Sequence, residues 1–346
     1  MNNINKIAMF RIFTLLFIQL VLVCSSCAQK ATQKVNGVSF VAAGQEAAKE
    51  HVDAVVHINA NYAAVMPFGF IRNQETPEII HNTERQWFGE TKAGIVQYAQ
   101  LLKEQNIAIM VKPHIWLWHG EFTGYLKMET EEDWERLEKS YTSFILTYAE
   151  AAQDINAEIF CIGTELEQFV VNRPDYWMQL IPEIKKVYKG KLTYAANWDE
   201  YKRVHFWKEL DYIGVDAYFP VSDNKTPTIE EAKVGLQKWK LEMKQISEAN
   251  NTPVLFTEYG YRSVDFAGKE PWLSSRMMTE VNLDAQTNLT KALIEEMYLE
   301  PWFVGGFIWK WFIEHDKVGG IENTQFTPQN KPVEQELKKH FEMYRY

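Results

Sequence analysis

The chain has 346 residues, of which 46% are hydrophobic, 24% are charged and 14% are aromatic. This is enough apolar material for a large folded core, and it excludes a disordered or fibrous protein. A formal net charge of -10, with no local run of basic residues, argues against nucleic acid as a partner. The 12 tryptophans exceed what such a core requires, so we expect several of them to face a ligand.

The first 26 residues have the features of an export signal. Two basic residues, Lys6 and Arg11, and no acidic residue accompany an apolar run over residues 12–23. A run of this length is too short to span a bilayer of about 30 Å as a helix, and it is typical of the core of a signal peptide. We therefore expect residues 1–26 to lie outside the fold.

The apolar run ends in Cys24-Ser25-Ser26-Cys27, which resembles a bacterial lipobox, although Cys24 stands where that motif usually has an aliphatic residue. We expect Cys27 to carry a lipid, and the exported protein to be anchored by it in the periplasm or at the outer membrane. An ordinary signal peptide cleaved near Ala28 is the alternative. With Cys27 lipidated, Cys161 has no disulfide partner, so the fold depends on its buried core.

After a tether over residues 27–36, we expect a single domain over residues 37–346. Eight apolar runs recur along it, and most are continuously hydrophobic, which is typical of parallel strands covered on both faces. No linker rich in Pro, Gly or Ser divides them. The runs cover residues 38–43, 61–70, 107–118, 158–165, 191–198, 210–218, 253–261 and 305–312.

Helical patterns lie between the runs. Thr130 with Asp133, and Thr228 with Glu231, are start signals that each precede apolar residues at three- and four-residue spacing. Strand–helix repeats over about 300 residues predict an α/β fold, a single-domain (β/α)8 TIM barrel with right-handed crossovers. An open doubly wound sheet is the alternative, but no Gly-rich phosphate loop follows the first run.

Two runs end in a carboxylate. The fourth ends in Thr164-Glu165, with Glu167 two positions on, and the seventh contains Thr257-Glu258. Because the carboxyl ends of barrel strands surround one mouth, both side chains would face the same cleft. Carboxylates on either side of a glycosidic bond serve as proton donor and as nucleophile or base. Alternatively, Glu165 or Glu167 caps the next helix or pairs with a base such as Arg173.

Aromatic residues accompany these carboxylates. An indole ring presents a flat apolar surface on which the C–H face of a sugar can lie. We expect at least two of the five tryptophans at or beside strand ends to plug the barrel mouth instead. Those five are Trp116, Trp118, Trp198, Trp309 and Trp311. Four tryptophans in or beside helical segments are predicted to pack in the protein interior, namely Trp134, Trp177, Trp207 and Trp239. The sequence pattern gives no prediction for Trp87, Trp272 and Trp302.

Four polar residues at strand ends are further candidates for binding the substrate. His114 is predicted to donate to a sugar hydroxyl, the alternative being a core histidine with satisfied hydrogen bonds. Asn197 ends the fifth run, and Asp216 and Tyr218 lie two apart on one face of the sixth, where Tyr218 could hydrogen-bond the nucleophilic carboxylate. No metal or cofactor is expected, because the eight histidines form no His-x-His at the first run and no His-Glu-x-x-His. A Gly-x-Ser-x-Gly elbow is also absent from the sequence.

Motifs in order along the chain resemble those of glycoside hydrolase family 113. They are Asn36-Gly-Val-Ser-Phe-Val-Ala42, Ala60-Asn-Tyr-Ala-Ala-Val-Met-Pro-Phe68, Lys112-Pro-His-Ile115, Ile162-Gly-Thr-Glu-Leu-Glu167, Val215-Asp-Ala-Tyr-Phe-Pro220, Phe256-Thr-Glu-Tyr-Gly260 and Ile308-Trp-Lys-Trp311. The resemblance implies a retaining barrel hydrolase with Glu165 as general acid/base and Glu258 as nucleophile. It places Tyr218 beside the nucleophile and makes Trp309 the floor of the subsite for the sugar under attack.

Members of that family are chiefly β-1,4-mannanases, which implies mannan or glucomannan as the substrate. Thr164 departs from the pattern, because the clan usually has Asn before the acid/base, where it contacts the sugar 2-hydroxyl. The sequence therefore predicts an endo-acting retaining β-glycosidase on a polysaccharide, with the reaction class better specified than the sugar. The rivals are a non-catalytic glycan-binding lipoprotein on the same barrel and the same mechanism on another β-glycan. The sequence leaves the oligomeric state open.

Overall fold

Eight parallel strands close into a barrel in the computed structural model, which describes residues 33–273 and 278–344. The predicted single-domain (β/α)8 TIM barrel is confirmed, and each predicted apolar run overlaps one barrel strand. In order around the barrel these are β1 (Val35–Phe40), β2 (Tyr62–Val65), β5 (Ala108–Val111), β7 (Ile159–Thr164), β8 (Lys191–Asn197), β9 (Tyr212–Ala217), β10 (Val254–Tyr259) and β11 (Phe303–Trp311).

Most predictions for the amino-terminal segment concern residues that the structure does not describe. The predicted signal peptide over residues 1–26 and the predicted lipidation site at Cys27 lie outside the described residues. The predicted tether ends too late, because Val35 and Asn36 already belong to β1 and are buried. Among the described residues, no helix combines the length and the hydrophobicity that crossing a membrane would require.

Helices cover the outside of the barrel. They are α1 (Lys49–His57), α2 (Lys92–Glu104), α3 (Glu131–Asp154), α4 (Glu167–Asn172), α5 (Pro174–Val187), α6 (Ile229–Asn250), α7 (Leu283–Met297) and α8 (Pro332–Met343). Both predicted start signals are confirmed, since Thr130 caps α3 and Thr228 forms a capping box with Glu231 at α6. Within the described chain, only the β8–β9 crossover lacks an α-helix, and it contains a 3₁₀ turn over Trp207–Glu209.

Apolar residues fill two layers. Inside the barrel, six buried side chains form a small cluster, and a larger cluster lies between the strands and the helices; the small cluster is Val35, Ala64, Met110, Ile159, Leu255 and Phe307. The strands are therefore covered on both faces, as their continuous hydrophobicity predicts. Gly37 makes room for this inner layer, because a Cβ at that position would lie 2.3 Å from Phe307 Cδ1.

A small second sheet lies beyond two of the barrel strands. It consists of β3 (Phe68–Ile71), β4 (Ile80–His81) and β6 (His114–Leu117), and we call it the rim sheet. The second and third apolar runs, each predicted as one strand, therefore each form two. Pro67 separates β2 from β3, and Pro113 separates β5 from β6. Because proline has no N–H to donate, it interrupts each strand and lets the chain turn into the rim sheet.

Candidate active site

A cleft of about 1060 Å³ opens at the carboxyl ends of the barrel strands, beside the rim sheet. Seven of the nine predicted catalytic and sugar-contacting residues line it, namely His114, Trp116, Glu165, Asn197, Tyr218, Glu258 and Trp309. These residues come from the carboxyl-terminal parts of six barrel strands or from the segments that follow them, as expected of a barrel whose strand ends carry the site.

Glu258 lies in β10, the seventh barrel strand, and is almost completely buried. Its two carboxylate oxygens have different partners. Tyr218 Oη donates to Oε2 at 2.6 Å, which is the contact predicted from the sequence. Lys112 Nζ donates to Oε1. Both donors are themselves buried, so the position of the Glu258 carboxylate is fixed from two directions.

Lys112 connects Glu258 to a second carboxylate, that of Asp216. Lys112 Nζ lies 3.1 Å and 3.2 Å from the two Asp216 oxygens, and Thr257 Oγ1 donates to Oδ1 at 2.7 Å. Burial lowers the pKa of Lys112, but the charges of Asp216 and Glu258 outweigh it and leave that pKa raised. Burial, with the charge of Glu258, raises the pKa of Asp216 to about 7 against the opposing effect of Lys112.

The predicted role of Asp216 as a sugar contact is therefore wrong. Its side chain is fully buried below the cleft and is held by Lys112 and Thr257. Lys112 in turn is a functional residue that the sequence reasoning missed. One signal could have found it, since a lysine that directly follows the apolar strand β5 requires a buried anionic partner.

Glu165 follows β7, the fourth barrel strand, and its side chain lines the cleft. Its backbone has φ of 50°, in the left-handed region that residues other than glycine seldom adopt, and its N–H donates to Ala195 O at 2.8 Å. Among the described residues, no side chain donates to the Glu165 carboxylate. Burial, and then the charges of Asp216 and Glu258, raise the pKa of Glu165 well above its ordinary value.

The turn that carries Glu165 is fixed by a buried Tyr–Glu pair. Leu166 N–H donates to Tyr194 Oη at 2.7 Å, and Tyr194 Oη donates to Glu200 Oε1 at 2.6 Å. The other Glu200 oxygen accepts the Asn197 N–H at 2.9 Å. Burial raises the pKa of Glu200 to about 8, although both hydrogen bonds act in the opposite direction. This pair joins the ends of β7 and β8 beneath the cleft, and no sequence pattern marks it.

Glu167 also lines the cleft, but it has a partner. Arg203 Nε donates to Glu167 Oε1 at 2.6 Å. Arg173, the base proposed from the sequence as a partner, instead pairs with Glu131 and Glu138. Of the two candidate carboxylates after the fourth strand, Glu165 is thus the one whose oxygens remain available to a ligand.

A row of rings forms one wall of the cleft. His114 stacks on Phe68 at 5.2 Å between ring centroids and on Trp309 at 6.1 Å. Burial, with the nearby charges of Lys112 and Lys310, lowers the pKa of His114 well below its ordinary value. Its Nε2 atom is buried and lies 3.8 Å from Glu258 Oε1, and it has no hydrogen-bond partner within residues 33–273 and 278–344. The His114 ring is therefore a neutral group whose free nitrogen faces the centre of the site.

The tryptophans divide differently from the sequence prediction. Trp116, Trp198 and Trp309 line the cleft as expected, whereas Trp118 is exposed outside it. The predicted sugar contact at Trp311 is wrong, because Trp311 is fully buried, pairs in register with Phe40 of β1 and packs beside His315. The predicted packing role of four others is confirmed by their burial; these are Trp134, Trp177, Trp207 and Trp239.

Two further tryptophans reach the cleft from connecting segments. Trp272 stacks on Trp198 with 4.7 Å between ring centroids and 14° between planes, and Trp87 is 60% exposed at another part of the lining. Sequence reasoning missed both. No periodic pattern could have identified them, because the path of a connection is not fixed by the spacing of strands and helices.

Thr164, which departs from the family pattern, also lines the cleft. Its hydroxyl donates to Pro113 O at 3.2 Å, and its side chain is only 7% exposed. The hydroxyl is therefore committed to the link between β7 and the start of β6. A sugar hydroxyl in this region must find its donor on a neighbouring residue.

Two carboxylates in an aromatic cleft at the mouth of a barrel are typical of the active site of a glycoside hydrolase. Such an enzyme acts on an oligosaccharide or a polysaccharide. The chain belongs to glycoside hydrolase family 113, whose model matches residues 41–331. A comparison with curated protein sequences finds no match.

Solved structures of the same fold include mannanases. The family 113 β-mannanase AaManA from Alicyclobacillus acidocaldarius, in complex with ManMIm, is 23% identical with a TM-score of 0.78, over 90% of this chain and 98% of that one. A family 113 β-1,4-mannanase is 17% identical with a TM-score of 0.77, over 90% and 99%. A β-glucuronidase from Faecalibacterium prausnitzii is 15% identical with a TM-score of 0.59, over 90% and 49%. At these identities the likeness establishes the fold.

Proposed function

We propose that the protein is a retaining endo-β-glycosidase that cleaves β-1,4-linked mannan or glucomannan through a covalent glycosyl-enzyme. The observation that carries this proposal is the contrast between two carboxylates in one cleft. Glu258 is held by Lys112 and Tyr218, whereas Glu165 has a strongly raised pKa and forms no ion pair with any residue that the structure describes. Such a division of environments supports Glu258 as the nucleophile and Glu165 as the acid.

In the first step, Glu165 donates its proton to the glycosidic oxygen while Glu258 Oε attacks the anomeric carbon. The carbon–oxygen bond of the glycoside breaks, the leaving sugar departs with the proton, and an ester joins Glu258 to the remaining sugar. Tyr218 and Lys112 hold the attacking carboxylate in place, and Trp309 provides the surface on which this sugar lies.

In the second step, Glu165 acts as a base. Its carboxylate takes a proton from a water molecule, the water oxygen attacks the anomeric carbon, and the bond to Glu258 breaks. The sugar leaves with retained configuration, and both carboxyl groups return to their starting protonation states. The raised pKa of Glu165 suits both steps, because the group must hold a proton before the first and accept one in the second.

The proposed substrate class is supported by the family and by the mannanases that share the fold. A panel of mannan, glucomannan, cellulose and xylan, with product lengths resolved, tests it. We expect internal cleavage of mannan or glucomannan into short oligosaccharides. A preference for xylan or cellulose would show that the mechanism acts on another β-glycan.

Trapping of the intermediate tests the covalent step. Incubation with an activated 2-deoxy-2-fluoro-β-mannoside should add one sugar to the intact mass, and peptide mapping should place it on Glu258. Absence of an adduct, together with no release of reducing ends from any β-glycan, would favour a non-catalytic glycan-binding protein on the same barrel.

We also propose that the protein is exported and anchored through Cys27, on the basis of the apolar leader and the small residues before that cysteine. Metabolic labelling with palmitate should mark the wild-type protein and not the Cys27→Ala variant. The labelled wild-type protein should be recovered in the membrane fraction, and the unlabelled variant in the soluble fraction. An unlabelled wild-type protein cut near Ala28 would indicate an ordinary signal peptide.

A further inference from the structure

Lys310 is a cation in the cleft to which the proposed reaction assigns no task. It follows Trp309 in β11, and its side chain is partly buried in the wall of the cleft. Its Nζ atom lies 5.4 Å from the centroid of the Trp309 ring and 5.0 Å from that of Phe312. Two aromatic rings therefore hold this ammonium group beside the surface on which the sugar is proposed to lie.

In the part of the chain that the structure describes, no carboxylate or other acceptor lies within hydrogen-bond distance of Lys310 Nζ. Lys112 is different, because both Asp216 and Glu258 accept from it. Ring faces attract a cation but do not replace the acceptors that its three N–H groups require. Burial accordingly lowers the pKa of Lys310, although the charge of Glu258 acts in the opposite direction. A ligand that brings an oxygen to this point would satisfy the donor.

The charge of the cleft indicates what kind of oxygen this is. Lys310 and His114 are the only basic side chains in the described lining of the cleft, and the His114 ring is neutral. Six acidic residues line the same cleft, namely Glu90, Glu121, Glu165, Glu167, Asp199 and Glu258. Such a surface disfavours a sugar that carries a carboxylate, so the acceptor that fits is a neutral hydroxyl oxygen.

We propose that Lys310 donates a hydrogen bond to a hydroxyl oxygen of the sugar residue that stacks on Trp309, and that this contact helps to select the sugar in that subsite. The inference rests on the proposed function, because it places the sugar under attack on Trp309. Thr164, which also lines the cleft, already donates its hydroxyl to Pro113 O.

A set of deoxy-substrates tests the contact. Aryl β-mannosides lacking the 2-, 3-, 4- or 6-hydroxyl group, one at a time, are compared with the parent on the wild-type enzyme and on Lys310→Met. We expect Lys310→Met to lower kcat/KM for the parent by about 10- to 100-fold, as for a hydrogen bond to a charged donor. For one deoxy-substrate the wild-type enzyme should show the same loss, and Lys310→Met should cause no further loss.

Matched variants separate contact from folding. Lys310→Arg keeps a donor and should recover part of the activity on the parent, whereas Lys244→Met, on the exposed face of α6 outside the cleft, should leave every ratio unchanged. Equal losses on the parent and on all deoxy-substrates would overturn the proposal. So would a preference for a β-glucuronide that disappears in Lys310→Met, since the acceptor would then be a carboxylate.

The proposed function and this inference can fail separately. If the wild-type enzyme cleaves no β-mannoside, the mannanase proposal fails, and the same comparison is made with deoxy forms of the β-glycoside that it does cleave. If mannosides are cleaved and Lys310→Met lowers kcat/KM for every deoxy-substrate, the inference about Lys310 fails and the mannanase proposal stands.

Discussion

Glu165 and Glu258 both follow a threonine in the sequence, but the residues around their carboxylates differ. Each follows a threonine at the carboxyl end of a buried parallel strand. Thr257 donates to Asp216, which accepts from the lysine beside Glu258. Thr164 donates to Pro113 O, and no cation of the described residues forms an ion pair with Glu165. The chemistry of each carboxylate is therefore set by residues from distant strands and not by its own neighbours in the chain.

Replacing each carboxylate by its amide distinguishes the roles of Glu258 and Glu165 directly. Glu258→Gln removes the nucleophile and should lower turnover by at least about 10⁴-fold whatever the leaving group. Glu165→Gln removes the acid and should slow substrates with poor leaving groups by about 10²- to 10⁴-fold while sparing the first step with activated ones. Rates with a series of aryl glycosides measure both. If Glu167→Gln produced the leaving-group dependence, the acid would be misassigned.

The next largest effect is expected when the Lys112 ammonium group is removed and both of its carboxylate partners are kept. Lys112→Met leaves Asp216 and Glu258 buried and unpaired, which should cost about 3–5 kcal/mol in the free energy of unfolding and nearly all activity. Urea denaturation and initial rates measure the two effects. Adding Asp216→Asn should recover stability and not activity. A stable and active Lys112→Met variant would show that the cation does not hold the nucleophile.

Two buried phenols offer a matched test, because Tyr218 contacts Glu258 and Tyr194 supports the turn of Glu165. Tyr218→Phe should slow all substrates about 10- to 100-fold, since it weakens the nucleophile. Tyr194→Phe should slow mainly those with poor leaving groups, because only the acid is misplaced. Tyr188→Phe is the control, as it removes a buried hydroxyl that donates to Ala157 O away from the cleft. Identical leaving-group profiles for Tyr218→Phe and Tyr194→Phe would contradict the assignment.

The smallest effect concerns pH. The acid must be protonated, so activity on poor leaving groups should persist until the pH rises through the raised pKa of Glu165 and then fall. Asp216→Asn removes one of the charges that raises this pKa, so the basic limb of kcat/KM should move to lower pH. With activated leaving groups that limb should not move. A shift to higher pH would contradict the role of Asp216 in the field at Glu165.

The barrel and both carboxylates could be predicted because they depend on local pattern. Eight continuous apolar runs specify buried strands, and a carboxylate that ends such a run is conspicuous. The contacts of Asp216 with Lys112, and of Glu200 with Tyr194, could not be predicted, since they join residues of different strands and connections. Residues two apart on a regular strand share a face, so strand periodicity could not separate the buried Trp311 from Trp309, which lines the cleft.

The two prolines between barrel and rim sheet bear on how this cleft could adapt to other sugars. Pro113 separates Lys112, which is inside the barrel, from His114, which lines the cleft, and its carbonyl accepts from Thr164. The wall that carries Phe68 and His114 is thus a continuation of structural strands, and any change in its position would disturb the core. The wall that carries Trp272 belongs to a connecting segment. Directed evolution for new glycans should therefore accumulate substitutions on the Trp272 side and leave the rim sheet unchanged.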